Sequence, residues 1–184
     1  MPDLNIEDLY KTYTTDEQIK ESFDRFTAST GRYQFAATKA EKVLGADDHV
    51  IESLRGRPHA RLFGRMTHVV DGVDKKAGSV GADVSWETRK DAKGKPDKAS
   101  KLWGQLVVAL GMKDKSVGEV LDAVAQYPIS VYVNESFKVP ATAEERAKTG
   151  RDSVYKTARD AEARKEYRSQ GYEARNFIES ISKL

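Results

Sequence analysis

The chain has no cysteine, which excludes disulfide staples, thiolate nucleophiles and every zinc or iron–sulfur site built on Cys. Its three histidines, His49, His59 and His68, stand apart with no HxH or HExxH spacing and read as ordinary surface or strand residues rather than metal ligands. No run approaches the roughly 20 apolar residues that a membrane helix needs. The opening MPDLNIEDLY has neither a basic leader region nor an apolar signal core, so a soluble, unexported, cytoplasmic protein without a membrane partner is expected. Glycines stand singly at turns, leaving no phosphate-cradling loop and no GxSxG nucleophile elbow.

What remains is a chain of 184 residues with 39% hydrophobic and 33% charged positions, enough for one compact core with much of the chain at its surface. Its net charge of +2 hides a segregation. Residues 1–56 hold 7 Lys/Arg against 11 Asp/Glu, and residues 57–110 hold 11 against 6. A basic middle beside an acidic arm suits a nucleic-acid binder, because phosphates call for clustered Lys and Arg.

Local signals agree best over Lys98 to Val139. Leu102, Leu106, Ala109 and Leu110 recur at helical spacing, Trp103 and Val107 widen the apolar face, and Gly111 stands where a left-handed C-cap belongs. Ser116-Val117-Gly118-Glu119 is a capping box that opens a shorter helix through Val117, Val120, Leu121 and Val124. Pro128 stops it, and Ile129, Val131, Val133, Phe137 and Val139 then alternate as a strand with one buried face. Glu135 breaks that parity, which predicts a bulge or the point where the strand leaves the core.

Upstream, Leu4, Ile6, Leu9 and Tyr10 suit a short docking arm, and Thr15 to Gln18 caps a helix bearing Ile19, Phe23 and Phe26. Residues 1–28 are therefore an arm and helix, and 29–184 form the domain. A first strand is expected over Arg32–Lys42, a helical turn over His49–Leu54, a second strand over Ala60–Val70, and a third from Val80 past Trp86. A polar hairpin connection from Asp71 through Gly78 joins the last two. Residues 140–150 read as a polar connection, Ser153–Ala158 as a short strand, and Asp160–Gln170 as a charged helix stopped by Gly171. Residues 172–184 fit strand alternation and helical spacing equally, and both readings stay open.

The order of elements is β-β-β-α-β-β. It predicts an α+β, mainly β fold: an oligonucleotide-binding (OB)-like five-stranded barrel with a helix between its third and fourth strands, an N-terminal helix, and an insertion at 140–171 before the last strand. A β-grasp or a small open α+β sheet uses similar elements.

On the second strand, Arg61, Phe63, Arg65, Thr67 and Val69 share one parity and Leu62, Gly64, Met66 and His68 the other. Arginines flanking a phenylalanine can meet phosphates while the ring stacks on a base; alternatively Phe63 is core and the arginines lie along an edge. Arg89, Lys90, Lys93 and Lys95 sit on a Gly/Pro-bearing loop suited to a phosphate backbone. Tyr132 opposes the buried parity of its strand and is the better stacking platform, whereas Trp86 and Trp103 read as core. Asp83 and Glu87 share a strand face as a metal-nuclease pair would, but Glu87-Thr88-Arg89 lacks the lysine that such a site places two residues after its acid. No catalytic residue, metal or cofactor is expected.

The segments SKLWGQLVVALG, QYPISVYVNESFK and KEYRSQGYEARNFIESI resemble small proteins of tailed phages, particularly those of actinobacterial hosts. These are associated with OB-fold, single-stranded-DNA-binding proteins of replication and recombination modules. The resemblance covers residues 30–139 and 160–184. It implies a non-catalytic, sequence-tolerant binder of single-stranded DNA in the host cytoplasm, with homo-oligomerisation and replication or recombination proteins as further partners. Two departures stand out: the 140–171 excursion, and a chain ending Ser182-Lys183-Leu184 in place of an acidic tail. The alternative is a protein–protein or oligomeric module in which the acidic arm and the charged helix hold partners.

Overall fold

A computed structural model describes residues 28–43, 54, 56–70 and 73–184. The expected N-terminal arm and helix, up to residue 27, lie outside the described residues, as does the helical turn over 49–54 apart from Leu54. The described elements run β1 (Gly31–Val43), β2 (His59–Val70), β3 (Val73–Val84), α1 (Lys98–Leu110), α2 (Val117–Gln126), β4 (Ile129–Pro140), α3 (Ala143–Thr149), β5 (Ser153–Thr157), α4 (Ala161–Ser169) and β6 (Ala174–Ser182).

The six strands make one sheet in which β1 pairs β2 and β4, β2 pairs β3, and β4 also pairs β5 and β6, every pairing antiparallel. β4 is the hub. Its residues 130–137 pair β6, so β1 (against 129–133) and β5 (against 136–140) must divide its other edge between them. The sheet is unclosed: β3 and β6 approach each other, but among the described residues no pairing joins them. α1 bridges that seam. Its Ala99 carbonyl accepts from the Ser85 N–H just past β3 (3.1 Å), and its Gln105 Oε1 accepts from the Ile181 N–H on β6 (3.0 Å), satisfying edge groups that a closing strand would otherwise pair.

Residues of alternating parity meet inside the curl. Phe35, Leu62, Met66, Val80, Val84, Val131, Val133, Ile178 and Ile181 are buried with Leu102 and Leu106 of α1 and with Val120 and Val124 of α2. Both helices carry the expected ends. Gly111 takes the left-handed cap at φ 69°, and Ser116 and Glu119 close their capping box, which holds the Glu119 carboxyl below its ordinary range through hydrogen bonds from Ser116.

Gly64 faces inward where β1 carries an irregularity between Ala37 and Lys39. A Cβ there would overlap the Ala36 carbonyl oxygen and lie 2.7 Å from the Ala37 Cα. Both are backbone atoms that cannot swing aside. Gly64→Ala is therefore expected to cost about 1–3 kcal/mol, read as a lower urea midpoint at unchanged m-value.

Four sequence expectations are corrected, the last of them at Glu135. The β2–β3 connection does not extend to Gly78: β3 begins at Val73, opposite Val70, and runs through a register shift between Met66 and Thr67 that leaves Ala77 unpaired. Strand β3 also ends at Val84, so Trp86 lies beyond it, edge-on to Trp103 at 5.6 Å and packed on the core. Residues 140–150 are not simply a polar connection. Thr142 and Glu145 form a second capping box and Gly150 ends α3 at φ 65°.

Glu135 neither bulges nor leaves the core. It is 1% exposed and faces the gap between the ends of β1 and β5. Its carboxylate accepts from the Thr30 N–H and hydroxyl (3.2 Å each) and from Arg168 of α4, with Arg164 Nε at 3.7 Å. The irregularity lies on the partner strand instead, at Glu179 of β6. A satellite core of Phe137, Val139 and Ala158, with Val154, Ala163, Tyr167 and Tyr172, seats the excursion on the far half of β4. Glu135→Gln loses the charge that both arginines pair with. A loss of about 2 kcal/mol is expected in chemical denaturation, together with faster proteolysis within 141–171.

Candidate nucleic-acid interface

Burial along β2 alternates cleanly: Leu62, Gly64 and Met66 are inside, and Arg61, Phe63 and Arg65 are exposed. The side of Phe63 is thereby settled, and the residue is 48% exposed. Its neighbour on β3 is small. Gly81 stands opposite on β3, where a Cβ would lie 3.5 Å from the ring, while Ala36 and Ser79 flank Arg65. Thr38 donates to the Phe63 carbonyl at 3.2 Å. A flat aromatic surface bordered by guanidinium groups and short side chains can accept a base on the ring and its phosphates on the arginines. The two arginines differ. Arg61 Nε is 3.0 Å from Asp83, whereas Arg65 has no carboxylate partner among the described residues. Asp83 is thus engaged on this face, and Glu87 lies 3.4 Å from Arg89 Nε.

The same outer face continues across β1 onto β4. Arg32 stands opposite Tyr132 and Gln34 opposite Ser130, and beyond them come Ser180 and Ser182 of β6. Arg32 donates to the Ser182 hydroxyl at 2.8 Å. Tyr132 is half-buried and lines a shallow recess of about 400 Å³ with Lys101, Asn134, Arg159, Glu179 and Ser180.

The loop before α1 is a built tip. Asp91 accepts from the N–H groups of Lys93 (2.8 Å) and Lys95 (3.0 Å), its own N–H donates to the Lys95 carbonyl (2.7 Å), and Lys90 bridges Pro96. Lys90, Lys93 and Lys95 are all exposed. Lys95 does not join the β2 face: it borders an open groove of about 1230 Å³ between α1 and β6. Lys98, Lys101, Arg159 and Lys183 also line that groove, along with Phe177, Asp91 and Glu179. The Lys98 ammonium sits 4.0 Å from the Phe177 ring centre. Loss of surrounding water lowers its pKa below the ordinary lysine value, with Glu179 opposing and Lys101 adding to that shift.

The predicted residues therefore divide into three places: Arg61, Phe63 and Arg65 on β2; Tyr132 on β4; Arg89, Lys90, Lys93 and Lys95 on the loop. Lys98, Lys101, Arg159 and Phe177 went unseen in the sequence because they come from three distant segments. Of the histidines, His59 is wholly buried, with Nδ1 3.1 Å from the Arg57 carbonyl, and His68 meets the Tyr33 ring edge-on. Among the described residues no helix is long and apolar enough to cross a membrane. No protein-family model, curated protein or solved structure matches the chain.

Proposed function

We propose that the chain is a non-catalytic, sequence-tolerant single-stranded-DNA-binding protein of a phage replication or recombination module, acting in the host cytoplasm. The observation that carries this reading is the exposed Phe63 between exposed Arg61 and Arg65 on the outer face of β2, with Gly81 opposite it on β3. Any base has a π-face, so a stacking platform beside cations holds single strands with little regard for sequence. A duplex keeps its bases stacked within and offers the ring nothing.

The topology supports the same reading. β1 joined to both β2 and β4, β2 to β3, β4 to β6, and a helix after β3 at the seam of β3 and β6 agree with an OB-like barrel left unpaired at that seam, to which β5 is an addition. Such barrels bind oligonucleotides on the outer face that carries the second and third strands, where Phe63 and Gly81 stand.

The test is fluorescence anisotropy of a labelled oligothymidine and of a matching duplex, each at low and moderate salt. Salt-sensitive binding of the single strand, with little of the duplex, is the expected result. No binding of either at low salt overturns the reading.

One observation favours a protein–protein module instead: Tyr127 and Leu184, each more than 60% exposed, line one recess with Leu110, Met112 and Pro128 where α1 and α2 end. Under that alternative, substitutions on β2 leave self-association and partner binding unchanged, and loss of residues 1–28 matters most.

A further inference from the structure

We infer that the groove between α1 and β6 is a second binding site for the same single-stranded nucleic acid, reached from the β2 face by way of Tyr132. This inference rests on the proposed function and extends its footprint round the outside of the sheet. Lys101 and Arg159 line both the groove and the Tyr132 recess, so the two cavities share one pair of cations. Neither has an ion-pair partner among the described residues.

Neither acid of the groove forms an ion pair with its cations among the described residues. Asp91 accepts from backbone N–H groups of its own turn, and Glu179 accepts from Asn134 Nδ2 at 2.7 Å. The cations Lys95, Lys98, Lys101, Arg159 and Lys183 are exposed and outnumber these two acids, an arrangement that suits a line of phosphates rather than a single small anion. Phe177 supplies a ring, covered by the Lys98 ammonium at 4.0 Å. An arriving strand can take a phosphate on that lysine or displace it and stack a base in its place.

The 140–171 excursion gains a role from this. Arg159 follows Ala158, which is buried and whose N–H donates to the Glu135 carbonyl (3.1 Å). The Arg159 carbonyl in turn accepts from Arg164 (3.0 Å). The buried Glu135 with its arginines therefore holds the cation at the rim of the groove.

The experiment compares oligothymidines of about 5 and about 16 nucleotides, the two ends of the range one such barrel covers, on the full chain and on K101A/R159A. Both substitutions are at exposed positions, and equal thermal midpoints establish that the variant is folded. The expected result is unchanged affinity for the short oligonucleotide and at least a tenfold loss for the long one. The log–log salt slope for the long one should fall by about 1.4, for two phosphates no longer neutralised. Equal affinity of variant and parent for both lengths, with the parent binding, overturns the groove and leaves the β2 face standing. Absence of binding by the parent overturns both.

Discussion

Replacing Phe63 and Arg65 together with alanine is expected to weaken single-stranded oligonucleotide binding about a hundredfold, with the melting temperature nearly unchanged. A base stacked on an aromatic ring is worth about 1–3 kcal/mol, and a lost phosphate contact adds to that, so a total near 2.7 kcal/mol is the expected scale. Stability should hold because both side chains stand on the outer face while Leu62 and Met66 carry the burial. The single variants separate the contributions. Phe63→Ala should lower affinity at every salt concentration without altering the slope, since a ring releases no counterions. Arg65→Ala should reduce the slope by about 0.7, one phosphate's share on a single strand. Arg61→Ala is the weaker test, because Asp83 already holds that guanidinium at 3.0 Å. If both single variants bind within twofold of the parent, the β2 face is not the interface.

Where sequence signals and structure agree, the chemistry is local. Gly111 ends α1, and Ser116 opens α2, because a left-handed cap and a capping box depend on residues three or four positions apart. The signals failed where backbone irregularity changed the count. Ile178 and Ile181 both point inward from a strand although they are three residues apart, because β6 carries an extra residue at Glu179 between its pairings with Val133 and Tyr132. That spacing is what made residues 172–184 look equally helical. The two candidate faces of β2 competed on hydrophobicity alone, and the deciding feature was the close approach of β1 to Gly64, which a pattern of polar and apolar letters does not contain. Glu135 read as a break in an apolar strand because the arginines that pair with it lie on α4, about thirty residues on. The groove was illegible for the same reason: loop, α1, Arg159 and β6 meet only in three dimensions.

The largest stability effect is expected at Asp97, which has two functions. It is the N-cap of α1, accepting from the Ser100 N–H at 3.0 Å, and it is the partner of Arg57, whose guanidinium donates two bonds to it at 2.8 and 3.1 Å. The Arg57 side chain is entirely buried, with its Nε lacking a partner among the described residues, and it ties the start of β2 to the helix that bridges the open seam. Asp97→Ala leaves that cation buried and unpaired and removes the cap, so a loss of about 3–5 kcal/mol is expected. Asp97→Asn can keep one acceptor oxygen for the cap but loses the charge and one of the two Arg57 bonds, so it should cost less than Asp97→Ala. Partial burial by itself would raise the Asp97 pKa, but the Arg57 hydrogen bond and those from Ser100, reinforced by the Arg57 charge, outweigh it and hold the carboxyl below its ordinary value. A carboxyl lowered in the folded state contributes its full stabilisation above its unfolded pKa, about 3.9, and loses it as pH falls from there through the lower folded value. Urea midpoints measured from pH 7 down to pH 3 should therefore fall more shallowly below about pH 4 for Asp97→Asn than for the parent. Parallel curves would mean that the Arg57–Asp97 pair adds nothing to the acid sensitivity of the fold.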